Sequence, residues 1–260
     1  MAQSERMNRT LETCTLISGA SSGIGLAFVN HYLAHTSEPV MALSRHASEA
    51  IALASLAEIY SGRLITLDID LTHEDELSLL PDRVRAHELS PVRVVNCAGM
   101  LHQPDCPALP EKRLEAVTYE GLMASFAINS FAPVLLAKTL LPLMPKKVDG
   151  FFASLSARVG SIGDNHLGGW YSYRAAKAAQ NQLFRTLSIE ASRRWPQIRL
   201  LLLHPGTTDT PLSRPFQSQV PEGKLFSPQW VATRLAKLID ETDITDSGRF
   251  MDWQGKNIDW

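Results

Sequence analysis

The stretch "TLISGASSGIG" (residues 15–25) decides the fold, because it joins an apolar run to a glycine-rich turn and leads directly into the helical pattern of "LAFVNHYLA". Gly19, Gly23 and Gly25 have the spacing G-x-x-x-G-x-G. Glycines at these places allow a tight turn out of a strand, a close approach of the backbone to a phosphate, and close packing of the helix on the sheet. The free N–H groups at the start of the helix would meet a pyrophosphate, so we expect a dinucleotide to bind here.

Two other interpretations of this turn exist. A loop that grips a nucleoside triphosphate needs a lysine after its last glycine, and none follows Gly25. Many strand-to-helix turns contain glycine for geometry alone, without any ligand. The position of this turn at the start of an alternating pattern of strands and helices favours dinucleotide binding.

The rest of the chain repeats the alternation. Short apolar runs span residues 14–18, 39–44, 63–68, 92–96, 151–156, 198–204 and 248–253, and helical patterns span residues 24–34, 48–59, 74–89, 119–144, 172–194 and 228–240. Continuous rather than alternating hydrophobicity is typical of strands that are covered on both faces. The pattern predicts one α/β domain over residues 1–260, a Rossmann-type doubly wound parallel sheet of about seven strands with helices on both faces.

Two segments lie outside this pattern. Residues 1–12 are expected to be loosely ordered. Residues 208–228 are rich in proline and mix apolar with polar side chains, so we interpret them as a substrate-binding lid or loop, with a plain surface excursion as the alternative.

Composition excludes several classes of protein. The 260 residues carry a formal net charge of −2, which gives no long-range attraction to nucleic acid or to an anionic membrane. The N-terminal residues contain no signal-peptide core, so we expect a cytoplasmic protein. Cys14, Cys97 and Cys106 cannot pair completely, and neither they nor the histidines have metal-ligand spacing, so we expect no metal.

Four further motifs follow the turn in order. They are "NCAG" at residues 96–99, Asn129 in "AINSFAPVLLAK", the pair Tyr173-x-x-x-Lys177, and "HPGTTDT" at residues 204–210. With the glycine-rich turn, they make essentially the whole chain resemble the short-chain dehydrogenase/reductase family. Within that family, "SARVGSIGDNHLGGWYSYR" and "LLHPGTTDT" look closest to the C-factor and sniffer-type carbonyl reductase group.

The resemblance implies a set of residues around a nicotinamide dinucleotide. Asp70 would lie near the adenine ring, Thr210 near the nicotinamide amide and Lys177 at the ribose, and Asn129 would hold a water in a proton relay. The cofactor-binding residues that it implies are Gly19, Ser21, Ser22, Gly23, Ile24, Gly25, Ser44, Arg45, Asp70, Leu71, Asn96, Ala98, Gly99, Tyr173, Lys177, Pro205, Gly206, Thr208 and Thr210.

The spacing of Tyr173 and Lys177 has a physical reason. Residues four apart share one face of a helix, so Tyr173 and not Tyr171 is the neighbour of Lys177. A phenol has a pKa of about 10, and an adjacent ammonium favours the phenolate. Tyr173 could then donate a proton to a carbonyl oxygen during hydride transfer, or remove one from an alcohol in the reverse reaction. The alternative is a tyrosine and a lysine that merely share an exposed face.

One position departs from the family pattern. The family serine that bonds the substrate oxygen stands three residues before a glycine, and counting back from Gly160 gives Ala157. We predict that the neighbouring Ser156 takes this role, because a strand end can twist or bulge enough to redirect one side chain. Ser161 is the alternative.

The end of the second strand bears on the choice of cofactor. An enzyme that prefers NAD typically has an acidic residue there, whereas this chain has Ser44 followed by Arg45. An arginine can bind a phosphate through several donors, so we expect NADP(H) to be favoured over NAD(H). Arg45 could instead be an ordinary surface cation.

Substrate and partners are less constrained. Trp170, Leu212, Phe216, Leu225 and His102 are candidates for an apolar pocket wall, which would suit an aldehyde or ketone of modest polarity. The resemblance implies a homodimer or homotetramer through the helices at residues 119–144 and 172–194. A dinucleotide-binding signalling or regulatory protein with little turnover is the alternative function. A Rossmann-like methyltransferase would leave the tyrosine and lysine without a role.

Overall fold

A computed structural model describes residues 11–102 and 110–260. It contains a seven-stranded parallel sheet in the order β3-β2-β1-β4-β5-β6-β9. These strands are β1 (Glu12–Ser18), β2 (Val40–Ser44), β3 (Leu64–Asp68), β4 (Leu89–Asn96), β5 (Gly150–Leu155), β6 (Ile198–His204) and β9 (Phe250–Asp252). The predicted doubly wound parallel sheet is confirmed.

Helices cover both faces of the sheet. Successive residues of a strand point to opposite sides, so a continuously apolar strand has apolar side chains to bury on each face. Leu16 of β1 faces one apolar cluster and Ile17 faces the other. The Leu16 side is closed by α3 (Glu74–Ala86), α5 (Ala132–Leu140) and α6 (Tyr171–Arg194). The Ile17 side is closed by α1 (Gly23–His35), α2 (Ile51–Ile59) and α7 (Pro228–Asp240).

The predicted helix at residues 119–144 is not continuous. It consists of α4 (Tyr119–Phe126), a π-helical turn (Ala127–Phe131), α5 and a 3-10 turn (Leu141–Leu143). Pro133 lies just after the π-helical turn and has no N–H to donate to the carbonyl of Asn129, which is the bond that an α-helix would make there. The helical ladder is therefore interrupted at Asn129.

The stretch Tyr119–Leu143 is long and apolar enough to cross a membrane, with a mean hydropathy of 1.5. The core helix of a soluble protein can have the same length and composition. Here α4 contacts α6, and α5 contacts α3, within one layer of the domain. The stretch is therefore accounted for by packing against neighbouring helices.

The two segments expected to be irregular have local structure where they are described. Residues 1–10 lie outside the described residues, but Glu12 already begins β1 and donates its N–H to the Glu88 carbonyl at 3.2 Å. In the 208–228 segment, β7 (Thr207–Thr208) pairs with β8 (Leu225–Phe226), and Arg214–Gln219 forms a 3-10 helix between them. This short ladder holds the two ends of the loop together.

Candidate active site

The glycine-rich turn is closely packed against the turn that follows β4. Gly19 and Gly23 have φ values of +66° and +53°, which side chains rarely adopt. A Cβ atom on Gly19 would lie 2.7 Å from the Ala98 nitrogen, and one on Gly25 would lie 2.1 Å from the Gly19 carbonyl oxygen. Glycine is therefore required at these places for both conformation and space.

The turn has the features that a dinucleotide requires. The first N–H groups of α1 have no partner within the helix, since Leu26 is the residue that donates to the Ser22 carbonyl. Ser22 itself is exposed and makes no capping bond with its side chain. The Thr210 methyl group would lie 3.1 Å from a Cβ atom on Gly23, so Thr210 stands over the turn. The residues present fit a bound pyrophosphate.

The end of β2 offers a second polar position. Ser44 pairs with Asp68 across β2 and β3, and the Ser44 hydroxyl is buried without a partner among the described residues. The Asp68 carboxylate accepts from the Ser48 N–H at 2.8 Å and from the Ser48 hydroxyl at 2.5 Å. Arg45 is exposed beside these groups. The exposed Arg45 therefore lies at the end of β2, where a ribose or its phosphate could meet it, whereas the Ser44 hydroxyl is covered.

Three of the expected cofactor contacts have other partners for their side chains. Asp70 accepts from the Thr72 N–H at 2.9 Å and from its hydroxyl at 2.7 Å. Leu71 packs in the apolar core. Asn96 is fully buried and bonds to Ser18 and Ser154. For Leu71 and Asn96, a contact with a dinucleotide would have to come from the backbone.

Tyr173 and Lys177 lie on the same face of α6, as predicted. The Lys177 amine lies 5.8 Å from the centre of the Tyr173 ring, whereas Tyr171 is exposed on another face. A Cβ atom on Gly99 would lie 3.8 Å from the Lys177 amine, so the pair borders the "NCAG" turn. The structure thus brings the pair to the turn that also contacts Gly19.

Burial shifts the pKa values of both members of the pair away from their charged forms, whereas the spacing predicted a phenol whose pKa is lowered by Lys177. Burial raises the pKa of the Tyr173 phenol. Burial also lowers the pKa of Lys177 from 10.5 to about 7. The Lys177 amine donates to the Leu155 carbonyl at 3.0 Å and to Gln180 Oε1 at 2.9 Å, rather than to the phenol.

Asn129 lies in the π-helical turn and is fully buried. Its Oδ1 atom accepts from the Met100 N–H at 3.0 Å, and its Nδ2 atom donates to the Met100 carbonyl at 2.8 Å and to Ser125 Oγ at 3.2 Å. The side chain thus ties α4 to the loop after β4. Its backbone carbonyl cannot accept the usual helical bond from residue 133, because Pro133 has no N–H.

The structure does not bring Ser156 to Tyr173. The Ser156 hydroxyl is buried and donates to Asn181 Oδ1 at 2.7 Å. Asn181 lies two turns beyond Tyr173 on α6, about 12 Å along the axis. The Ser156 hydroxyl is therefore engaged by Asn181 in this structure, and its catalytic role stays a prediction. The alternative, Ser161, is also buried, and its hydroxyl accepts from the Asp164 N–H at 3.0 Å.

The start of α6 contains a residue that sequence analysis missed. Glu111 is buried, and its carboxylate accepts from both the N–H and the hydroxyl of Ser172. Its backbone carbonyl accepts from the Trp170 N–H at 2.5 Å. Trp170 has a left-handed conformation, with φ 52° and ψ 45°. A carboxylate at the positive end of a long helix stabilises that end, so Glu111 fixes the turn that leads to Tyr173.

Sequence analysis also missed Gln180, which bonds to Lys177, and Ser154, which bonds to Gln180. Gln180 is 0% exposed and lies one turn after Lys177 on α6, and its Nε2 atom donates to Ser154 Oγ at 2.8 Å. The sequence contains one indication of Gln180: it lies on the same helix face as Lys177. On a helix face packed against a sheet, an apolar side chain is the usual residue at such a position.

Aromatic side chains from separate loops meet above Tyr173. The Trp170 ring lies 6.3 Å from the Tyr173 ring and 5.0 Å from the Phe216 ring. The His102 ring lies 6.2 Å from Phe216, and its Nε2 atom is 3.3 Å from the Pro211 carbonyl. Trp170, Phe216 and His102 thus form the expected wall, whereas Leu225 belongs to β8.

The "HPG" segment (residues 204–206) joins the end of β6 to β7. Gly206 has a φ of +77°, and a Cβ atom there would lie 2.8 Å from the Phe226 ring. Thr208 follows in β7 and is buried, while Pro205 is half-buried. The described residues contain no group of three or more potential metal ligands, and Cys106 lies outside them.

Comparisons with known proteins agree with this geometry. A sequence profile described as short chain dehydrogenase matches residues 13–221. The chain is 26% identical to 1-hydroxy-2-glutathionyl-2-methyl-3-butene dehydrogenase of Rhodococcus sp., over 94% of this chain and 98% of the relative. It is 32% identical to the C-signal of Myxococcus xanthus, over 55% of this chain and 81% of the relative. Carbonyl reductase Sniffer of D. melanogaster has the same fold, with a TM-score of 0.82, 22% identity and coverage of 96% of this chain and 100% of that chain.

Proposed function

This chain belongs to the short-chain dehydrogenase family, and from that premise we propose that it reduces an aldehyde or ketone to an alcohol, or catalyses the reverse reaction, with NADP(H) favoured over NAD(H). Membership makes it an oxidoreductase that uses a nicotinamide dinucleotide. The observation that carries the proposal is the position of Tyr173 and Lys177 on one face of α6, beside the turn that packs on Gly19.

In the proposed mechanism, the protein supplies orientation and a proton. The bound nicotinamide would supply or accept the hydride. Tyr173 would donate a proton from Oη to the carbonyl oxygen in reduction, and would accept one in oxidation. Lys177 would bind the nicotinamide ribose and favour the phenolate after the proton has left. The Asn129 carbonyl would hold the water through which Tyr173 recovers its proton.

The residues that would hold the cofactor are those of the sequence analysis. The glycine-rich turn, over which Thr210 stands, would hold the pyrophosphate. Asp70 would lie towards the adenine. Lys177 would hold the ribose next to the nicotinamide. Ala157 has no hydroxyl to share the substrate oxygen with Tyr173, and the Ser156 hydroxyl would have to leave Asn181 to do so.

The preference for NADP(H) rests on Arg45 and Ser44. Arg45 is exposed where the adenosine ribose would lie, and Ser48 already engages the neighbouring Asp68 carboxylate. Arg45→Asp should reverse the preference for NADPH over NADH, measured as the ratio of the two kcat/KM values. The substitution replaces a side chain that donates hydrogen bonds to phosphate with a negative charge that repels it. Arg193→Asp, on an exposed position at the end of α6, is the matched control. An unchanged ratio in Arg45→Asp removes Arg45 from the proposal.

The aromatic wall favours a substrate with an apolar body next to its carbonyl group. Trp170 and Phe216 would contact that body while Tyr173 meets the carbonyl oxygen. The experiment is a fluorescence titration with NADPH and NADH, followed by a screen of NADPH consumption over aldehydes, ketones and quinones. Turnover with any of these supports the proposal, and absence of dinucleotide binding overturns it.

A second candidate function is a regulatory protein that binds a dinucleotide with little turnover. It is favoured by the missing serine at Ala157 and by the similarity to the C-signal of Myxococcus xanthus. Tight binding in the titration without turnover in the screen would select this function over the reductase.

We also propose that the protein is cytoplasmic and forms a homodimer or homotetramer through α4, α5 and α6. The exposed apolar side chains Tyr119, Met123 and Phe131 on this layer support an interface there. Sedimentation velocity would measure the assembly, and a monomer at micromolar concentration would contradict it.

A further inference from the structure

A chain of buried side chains joins the first strand of the sheet to Lys177. Ser18 Oγ donates to Asn96 Oδ1 at 2.5 Å, and Asn96 Nδ2 donates to Ser154 Oγ at 2.8 Å. Gln180 Nε2 donates to the same Ser154 oxygen at 2.8 Å, and the Lys177 amine donates to Gln180 Oε1 at 2.9 Å. The four uncharged residues are each 0% exposed. Their polar atoms therefore depend on one another rather than on solvent.

The partners of Gln180 fix the orientation of its amide. A backbone carbonyl can only accept and an ammonium can only donate. Gln180 Nε2 lies 3.2 Å from the Leu155 carbonyl, so this atom has to be the nitrogen. The oxygen of the amide consequently faces Lys177. A leucine at this position would fill a similar space but would offer Lys177 no acceptor.

Few groups near Lys177 accept a hydrogen bond from its amine, so Gln180 has a large influence on whether the amine is protonated. Tyr173 faces Lys177 from one turn earlier on α6, and the Cys97 thiol faces it from the turn after β4. β5 presents only the Leu155 carbonyl, and the π-helical turn presents the neutral amide of Asn129 across Gly99. Within the described parts of the chain, the Leu155 carbonyl and Gln180 are the acceptors that bond to the amine.

We propose that Gln180 is a positioning residue that holds the Lys177 amine at the end of this buried chain and favours its protonated form. The inference rests on the proposed function, because a protonated Lys177 matters only if Tyr173 exchanges a proton with a substrate. Burial brings the pKa of Lys177 down to about 7, so an acceptor that bonds to the charged form acts in the opposite direction. Gln180 thereby decides which form of the amine faces Tyr173.

Two substitutions at Gln180 should move Lys177 in opposite directions. Gln180→Leu removes an acceptor, so the amine should lose its proton at a lower pH, by about one unit. Gln180→Glu places a carboxylate at the same position, so the amine should keep its proton to a higher pH, by roughly 1–3 units. A packing effect alone would have no reason to change sign between the two variants.

The primary measurement is an NMR titration of the Lys177 13Cε resonance in the ligand-free protein, identified by its absence from the spectrum of Lys177→Met. The basic limb of the pH dependence of kcat/KM should shift with it, to lower pH in Gln180→Leu and to higher pH in Gln180→Glu. Thermal unfolding of each variant establishes that it is folded before its titration is interpreted.

Gln182 provides the matched control, because it lies on the same helix but is exposed and donates to Thr186 Oγ1 at 3.2 Å. Gln182→Leu and Gln182→Glu should leave the Lys177 titration within about 0.3 unit of wild type, since a solvated charge is strongly screened. The proposal is overturned if the Gln180 variants shift no more than these controls, or if both shift in the same direction.

If Gln180→Leu does not fold, Ser154→Ala takes its place, because it removes the acceptor that anchors Gln180 Nε2. It should lower the pKa of Lys177 by less than Gln180→Leu would, and no shift would count against the proposal. The titration needs neither cofactor nor substrate. A protein without reductase activity but with the opposite shifts would defeat the proposed function and support the role of Gln180, whereas the reverse pattern would defeat Gln180 alone.

Discussion

Tyr173 and Lys177 are one helical turn apart, yet their surroundings are opposite in character. Tyr173 opens onto rings from separate loops, with Trp170 at 6.3 Å and Phe216 packed on Trp170 at 5.0 Å. Lys177 is 3% exposed and bonds to the Leu155 carbonyl and to Gln180, which is itself anchored to a strand. The phenol has adaptable apolar neighbours, whereas the amine has fixed polar ones.

The difference separates two tasks within one site. Each aromatic contact contributes about 0.5–1.5 kcal/mol, so losing one of the ring contacts of Trp170 or Phe216 would cost little. Leaving a buried donor or acceptor of the Lys177 network without a partner costs about 1–3 kcal/mol, so that network tolerates little rearrangement. We infer that the aromatic side of the site tolerates change more readily than the polar contacts that hold the amine.

The largest expected effect tests the phenol side of the comparison. Tyr173→Phe keeps the ring and its contact with Trp170 but removes the hydroxyl. We expect the kcat for NADPH-dependent carbonyl reduction to fall about 10²- to 10⁴-fold, the usual range for a lost general acid. Dinucleotide affinity, measured by fluorescence titration, should stay within about threefold, because the aromatic packing remains.

Tyr171→Phe is the control for this substitution, since Tyr171 is 42% exposed on another face of α6. Its turnover should equal that of wild type within about twofold, as is usual for a surface change away from the reacting groups. Full carbonyl reduction by Tyr173→Phe would show that the proton comes from another group.

A smaller effect tests the surroundings of the Lys177 amine, through the pH dependence of the free energy of unfolding. Lys177 has a folded-state pKa of about 7 against 10.5 in the unfolded chain, so above pH 7 the unfolded state binds more protons than the folded state. Stability therefore rises with pH across this window, and the penalty for burying the charge is fully present only below about pH 7. Between pH 7 and 8.5, the free energy of unfolding of the ligand-free protein should rise by about 1–2 kcal/mol relative to Lys177→Met.

Urea unfolding at several pH values would measure this difference. Free thiols of the unfolded chain begin to ionise at the upper end of this window, and desolvation raises the pKa of the Cys14 and Cys97 thiols in the folded protein. Lys177→Met carries the same cysteines, so their contribution cancels from the difference between the two proteins. Their effect on stability has the opposite sign at higher pH. A difference between wild type and Lys177→Met that is independent of pH would mean that the amine is not held in a desolvated position.

The outer framework of this comparison was predictable from the sequence. Continuous apolar runs mark all the strands of the main sheet, because a strand covered on both faces cannot alternate with polar residues. The glycine spacing at Gly19, Gly23 and Gly25 predicted a turn in which each glycine is needed, and helix periodicity separated Tyr173 from Tyr171. Local geometry alone determines these features.

The network around Lys177 was not predictable in the same way. Ser18, Asn96, Ser154 and Gln180 come from β1, β4, β5 and α6, and only the sheet order brings them together. Glu111 likewise contacts Ser172 across a long separation in sequence. The lowered pKa of the Tyr173 phenol was expected from its spacing to Lys177, but spacing does not reveal that burial acts on both groups.

The smallest expected effect concerns two nearby serines, Ser154 in β5 and Ser156 directly after the strand. Ser154 belongs to the Lys177 network, whereas the Ser156 hydroxyl donates to Asn181. Ser156→Ala should lower the free energy of unfolding by about 1 kcal/mol, since it removes one buried hydrogen bond. It should leave kcat within about threefold of wild type and the basic limb of the pH profile unmoved, because Ser156 acts on neither the phenol nor the amine.

Ser154→Ala is the matched comparison, with the same chemical change two residues away at the end of β5. It should move the basic limb to lower pH, because it loosens the residue that holds the Lys177 amine. Chemical denaturation and pH–rate profiles of both variants give the two quantities. A tenfold or larger loss of kcat in Ser156→Ala, with unchanged stability, would restore Ser156 as a catalytic residue, because only contact with the reacting atoms could then explain the loss.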